Sequence, residues 1–209
     1  MKILSVTPLA IPAVKAIRFA RFGDDRGWFA EPYRQSDIRQ AAALPEMAGA
    51  TALQANESVS RKNVVRGLHF QWNPYMGKLV RTLSGRMVDL ALDIRPNSPT
   101  LGKAILHDMP ARLEENWDEW IWVPPGFAHG NLFPEDTRIE YLCTGEYSPG
   151  NEAGICPFAD DIDWTLADPA LRAMLDACRA GGAIISEKDR NGLRLEQWLA
   201  RPEADMFKL

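Results

Sequence analysis

"KLVRTLSGRMVDLALDIR", Lys78 to Arg95, is the stretch that decides the fold. Leu79, Arg81 and Leu83 share one face; after a turn at Ser84-Gly85, Leu90, Leu92 and Ile94 oppose Asp89, Ala91 and Asp93. Strand side chains alternate between two faces, so the pattern reads as strand, turn, strand. The same signature spreads outward. "EWIWVPPGFAHGNLF" (119–133) is strand, Pro-Pro-Gly turn, strand, and "RIEYLCTGEY" (138–147) is another strand. "TALQANESVSRKNVVRGLHFQW" (51–72) supplies two more through a polar loop.

Helical spacing is confined to the margins. "SDIRQAAALPEM" (36–47) opens on Ser36, which predicts an N-cap there. "LADPALRAMLDACRAGG" (166–182) spaces Leu171, Met174, Leu175 and Cys178 on one helical face and ends at Gly181-Gly182. "GLRLEQWLARPE" (192–203) predicts a C-terminal helix. Short strands with Gly/Pro turns, and helices only at the ends, indicate an all-β sandwich or barrel. We read 1–209 as a single domain, with its core over about 20–165 and a helical extension over about 166–209.

The 209 residues carry 46% hydrophobic and 25% charged content and a net charge of -4. That composition suits a globular chain and gives no general attraction to nucleic acid or an anionic membrane. Cys143, Cys156 and Cys178 are odd in number, with no CxxC pair, and fit reduced thiols in a cytoplasmic protein. The N-terminal apolar run is broken by Thr7, Pro8 and Pro12, so it reads as an edge strand and not as a targeting signal.

Three histidines are present. His129, in "PPGFAHGN", resembles the second metal-ligand motif of cupins. The first motif should add an HxH pair, and here that position reads His69-Phe70-Gln71. Two histidines fall short of the three protein ligands an open catalytic site takes. His107, in "AILHDMP", reads as a surface residue. His69 stands in "VVRGLHFQ" beside Arg66, with Lys78 and Arg81 close in sequence. A lone strand histidine is ordinarily a satisfied core residue. Alternation puts Arg66 and His69 on opposite faces unless Gly67 bends the strand. With that bend, the segment describes an anion-binding pocket containing a base.

"FGDDRGWFAEPY", "LQANESVSRKNVVRGLHFQ", "GKLVRTLSGRMVDLALDIRPNSPTLGK", "WIWVPPGFAHGNL", "YLCTGEYSPGNEAGI" and "SEKD" follow one another between Phe22 and Asp189. In this order they resemble the dTDP-4-dehydrorhamnose 3,5-epimerase family. The resemblance implies a cupin-like jelly roll (a double-stranded β-helix) with short peripheral helices, mainly C-terminal. It implies epimerisation at C3 and/or C5 of a nucleotide-diphosphate 4-keto-6-deoxy sugar, without cofactor or metal, in a homodimer that binds neither nucleic acid nor membrane. By the same resemblance His69 is the base, Asp189 its orienting carboxylate, Tyr141 the proton donor and Lys78 the cation beside the enolate. Gln54, Asn56, Arg66, His129, Glu152 and Lys188 match substrate contacts; Arg26 and Glu31 match nucleotide contacts reached from a neighbouring subunit. Arg26 as a turn residue and Glu152 as a solvated charge are the plainer readings of those two positions.

The chain departs from the family pattern in four places. The His69–Lys78 segment is one residue short, which displaces Lys78. Glu146-Tyr147 replaces two tyrosines, of which the first stacks on the base; a carboxylate cannot stack. Trp164-Thr165 replaces Trp-Pro. The 21 residues between Trp164 and Ser186 include an added helix. Two other functions compete: a metal-dependent cupin enzyme and a non-catalytic sugar-nucleotide binding module, which would have no use for a phenol at Tyr141.

Overall fold

The computed structural model describes residues 1–208. The chain opens with β1 (Ile3–Pro8), β2 (Lys15–Asp24) and β3 (Gly27–Ala30), then α1 (Gln35–Gln40) and a 3₁₀ turn at Pro45–Met47. Eight strands follow: β4 (Gln54–Ser60), β5 (Val64–Gln71), β6 (Lys78–Ser84), β7 (Arg86–Asp93), β8 (Ala104–Pro110), β9 (Trp117–Val123), β10 (Phe127–Phe133) and β11 (Thr137–Cys143). A short β12 (Glu152–Gly154) precedes α2 (Pro169–Ala180), α3 (Glu187–Arg190), α4 (Leu195–Leu199) and a 3₁₀ stretch at Pro202–Phe207.

The strands form two antiparallel sheets. One runs β1-β2-β9-β6-β11-β4, with β3 added to β2; the other runs β12-β5-β10-β7-β8. Facing each other, they make a jelly roll. Val80, Met87, Ala91, Ile105, Ile121, Phe127, Phe133 and Ile139 fill the space between them. The outer faces are covered as well. Leu68, Phe70, Leu90, Leu92 and Leu132 pack outward against Leu175, Leu195, Trp198 and Phe207 of the C-terminal elements. Phe19, Leu79, Trp120 and Trp122 pack outward under Ile38, Leu44 and Met47.

Each C-terminal helix has a local cause. Asp168 caps α2, its Oδ1 accepting from the Ala170 and Leu171 N–H groups at 2.8 and 3.1 Å. Leu175 is buried, and Leu171, Met174 and Cys178 lie against the same apolar cluster, as their spacing predicts. Ser186 caps α3, accepting from the Asp189 N–H at 3.1 Å. The predicted C-terminal helix stops at Leu199, because Pro202 cannot continue an α-helical ladder. The predicted N-terminal helix also needs correction. It begins at Gln35 with no side-chain cap, and Ser36 does not cap it. Gln35 anchors it instead, donating to the Ala50 carbonyl at 2.6 Å and accepting from the Tyr33 hydroxyl.

Candidate active site

The site is built by one irregularity in β5. Between the His69↔His129 and Arg66↔Asn131 pairs, β5 spends one residue more than β10. The extra residue is Gly67, at φ +102°, a conformation that L side chains rarely adopt. A Cβ there would stand 2.6 Å from the His129 carbonyl oxygen and 2.7 Å from the Gly130 Cα. The bulge flips the side-chain parity, so Arg66 and His69 both face inward while Val65, Leu68 and Phe70 face out.

His69 Nε2 lies 2.6 Å from Asp189 Oδ1, and Asp189 Oδ2 accepts from the Gly67 N–H at 3.2 Å. One carboxylate therefore ties the bulge and the imidazole together. Burial pushes the Asp189 pKa up, but the His69 bond and charge and the Gly67 N–H outweigh it, and the carboxyl ends below its ordinary value. Tyr141 enters from the opposite sheet. Burial lifts its phenol above the usual range, keeping the proton on oxygen. Lys78 Nζ points to the His69 carbonyl at 3.5 Å. Burial lowers the Lys78 pKa, against Cys143, Asp89 and Glu152, which raise it. Lys78 lines the cavity in spite of the shortened segment before it.

These groups border a cavity of about 500 Å³ with Arg66, His129, Asn131, Ile184 and Lys188. A second hollow of about 270 Å³ adjoins it, with His69, Lys78 and Tyr141 common to both. Gln54, Asn56, Gln71, Tyr147 and Glu152 line its far side. Gln54 accepts from the Tyr147 N–H at 2.9 Å and donates to Asn56 at 3.0 Å. Glu152 accepts from the Tyr147 hydroxyl at 3.0 Å and from Lys188 at 2.8 Å, so it is more than a solvated charge. Arg66 Nε donates to the Ser60 hydroxyl at 2.9 Å, holding the guanidinium at the rim.

Tyr147 faces the second hollow, whereas Glu146 is exposed and lines neither. Arg26 and Glu31 do not reach the cavity within one chain. Arg26 pairs with Asp24 at 2.6 Å, and Glu31 pairs with Arg34 at 2.5 Å. His107, read as a surface residue, is only partly exposed. It points between the sheets to Glu119, 3.0 Å away, and Arg18 holds the same carboxylate.

The sequence reading missed Asp89, which is 1% exposed. Its Oδ2 lies 2.7 Å from His129 Nε2 and accepts from Asn131 at 3.1 Å. Burial lowers the His129 pKa in spite of this carboxylate. The available signal was a pair of acids, Asp89 and Asp93, alternating within an otherwise apolar strand. Among the described residues, no group of three or more His, Cys, Asp or Glu side chains is disposed to hold a metal ion.

An imidazole on one sheet held by a carboxylate from α3, with a half-buried phenol and an ammonium on the other sheet, defines a jelly-roll enzyme of the proton-transfer type. The comparisons agree. The dTDP-4-dehydrorhamnose 3,5-epimerase family model matches residues 8–197. The chain is 41% identical over 184 residues to the dTDP-4-dehydrorhamnose 3,5-epimerase of Sinorhizobium fredii, covering 87% of this chain and 84% of that protein. It is 37% identical over 178 residues to the Escherichia coli enzyme, covering 84% and 86%. Its fold is similar to that of the 3,5-epimerase RmlC from Legionella pneumophila, solved with dTDP-4-keto-L-rhamnose. That match has a TM-score of 0.78 and 30% identity, and covers 96% of each chain. The chain belongs to the dTDP-4-dehydrorhamnose 3,5-epimerase family. It is an isomerase, a sugar-nucleotide epimerase with a cupin-like jelly roll.

Proposed function

We propose that the chain epimerises a dTDP-linked 4-keto-6-deoxy sugar at C3 and C5, with His69 as base and Tyr141 as acid. The C4 ketone acidifies the neighbouring C–H bonds, so no redox cofactor is needed. Nε2 of His69 faces Asp189, which leaves Nδ1 free to take the proton; the carboxylate then steadies the imidazolium. The C–H electrons move into an enolate, whose oxygen the Lys78 ammonium stabilises. Tyr141 returns a proton to the opposite face; solvent then reprotonates the phenolate and takes the proton from the His69 imidazolium. The observation that carries this reading is that imidazole and phenol border one cavity from different sheets.

The ligand contacts follow the same logic. Arg66 and Lys188 at the rim suit the diphosphate, the fork of Arg66 especially. Gln54, Asn56 and Glu152 suit the sugar-phosphate and nucleoside, and Tyr147 offers a ring for the base. His129, kept neutral by burial and held by Asp89, suits a sugar hydroxyl. Arg26 and Glu31 would act on a second copy's cavity in a homodimer. Supporting this, Phe22, Trp28 and Phe29 on the same hairpin are 50%, 51% and 67% exposed. The free thiols suit the cytoplasm.

Solvent exchange tests the reaction. In D₂O with dTDP-4-keto-6-deoxyglucose, deuterium is expected at both C3 and C5 of the sugar. Label at one carbon would make the enzyme a mono-epimerase, and label at neither would refute the acid–base assignment.

A further inference from the structure

Two positions beyond His69 on β5, Gln71 turns to the same inward face. It lines the smaller hollow and is 3% exposed. This is the position at which the second histidine of an HxH pair is missing, and the amide there is spent on backbone. Its Nε2 donates to the Pro74 and Glu146 carbonyls, each at 2.9 Å. Its Oε1 accepts from the Ser148 N–H at 2.9 Å. Both amide hydrogens and one lone pair are thereby used.

These bonds bracket Tyr147. β11 ends at Cys143, and the Thr144 N–H still reaches the Gly77 carbonyl at 2.9 Å. Among the described residues, 145–147 make no backbone-to-backbone hydrogen bond. Side chains fasten the loop instead. Gln71 grips the residue on either side of Tyr147, and Gln54 accepts from the Tyr147 N–H at 2.9 Å. Tyr147 is 55% exposed, so packing does little to fix it. Its place is set by the hydrogen-bonded backbone, and by Glu152 at its hydroxyl.

We propose that Gln71 is a positioning residue for the nucleotide: by holding the chain on both sides of Tyr147 it keeps that ring ready for the base. The inference rests on the epimerase reading above, in which Tyr147 is the ring offered to the base. A loop that ordered only on binding would give up affinity for that ordering, whereas a loop already held does not. A buried amide that loses its partners is costly, so Gln71 favours this one loop geometry. The consequence is selective. Losing Gln71 should weaken nucleotide binding and leave proton transfer between His69 and Tyr141 alone.

Titration calorimetry on the full chain with dTDP and with inorganic pyrophosphate separates this role from a general loss of structure. Gln71→Met keeps length and burial but removes the bonds. Gln71→Glu keeps the Ser148 bond and loses the two donated ones, and it carries the test if Gln71→Met does not fold. Each is expected to weaken dTDP about tenfold, within the range of an aromatic–base stack, and to leave pyrophosphate unchanged. KM for the keto sugar should rise in step while kcat holds within about twofold. In a Tyr147→Ala background the same substitution should have no further effect. Unchanged dTDP affinity, an equal loss for pyrophosphate, or an undiminished loss in the Tyr147→Ala background would overturn the role of Gln71 and leave the epimerase reading intact. Native protein that binds no dTDP and exchanges no solvent deuterium into the keto sugar would overturn the two together.

Discussion

Asp189 holds both ends of the proposed catalytic arrangement, the imidazole at 2.6 Å and the bulged backbone at 3.2 Å. Removing its charge should leave the fold and lose the base. Asp189→Asn, His69→Ala and Tyr141→Phe are each expected to lower kcat on the order of 10²–10⁴-fold, the usual contribution of a positioned acid or base. Thermal unfolding should show each variant still folded. Tyr141→Phe is the most telling, since a protein that merely binds would tolerate it. The pH profile should carry the mark of Lys78. Burial holds its pKa below the ordinary lysine value of 10.5, so the cation is lost earlier than usual as pH rises. Tyr141 moves the other way and keeps its proton. The alkaline fall in kcat/KM is therefore expected below pH 10.5 and should belong to the lysine. Lys78→Arg, if active, should move that fall upward, and an unmoved fall would assign it to another group.

At the scale of the element, β5 is the strand on which the site depends. Its one-residue bulge turns two positions of opposite parity onto one face, and Gly67 allows it. Gly67→Ala must hold a side chain at φ +102° and push against the His129 carbonyl. A cost of about 3 kcal/mol is expected from the strained backbone and the clash, measured by urea unfolding, with catalysis lost as Arg66 and His69 part. The bend was legible in the sequence, because a basic residue and a histidine separated by Gly67 made sense only on a shared face. The apolar face of α2 was legible for a similar local reason, the helical spacing of Leu171, Met174, Leu175 and Cys178. The start of α1 was not. Its anchor is a long-range bond from Gln35 to Ala50, which no local pattern records.

At the scale of the molecule, the exposed hairpin of β2 and β3 sets the expected assembly. Sedimentation should show a dimer, and Trp28→Ser with Phe29→Ser should yield monomers of much lower activity, deprived of the partner copy's Arg26 and Glu31. A fully active native monomer would refute this. The sequence by itself determined most of the central strands and their turns, because period-two alternation and turn residues are local, and its motifs carried the family resemblance on which the proposed acid–base residues rest. It did not determine which face was inside. Leu90 and Leu92 turn outward to the C-terminal helices, and Asp89 turns inward to His129. With apolar layers on both sides of a sheet, hydrophobicity no longer marks the interior, and only the packing of the two sheets and their covering helices decides. The same packing set Tyr147 at the smaller hollow, left Glu146 exposed, and brought His69 and Tyr141, 72 positions apart in the chain, from different sheets to one cavity.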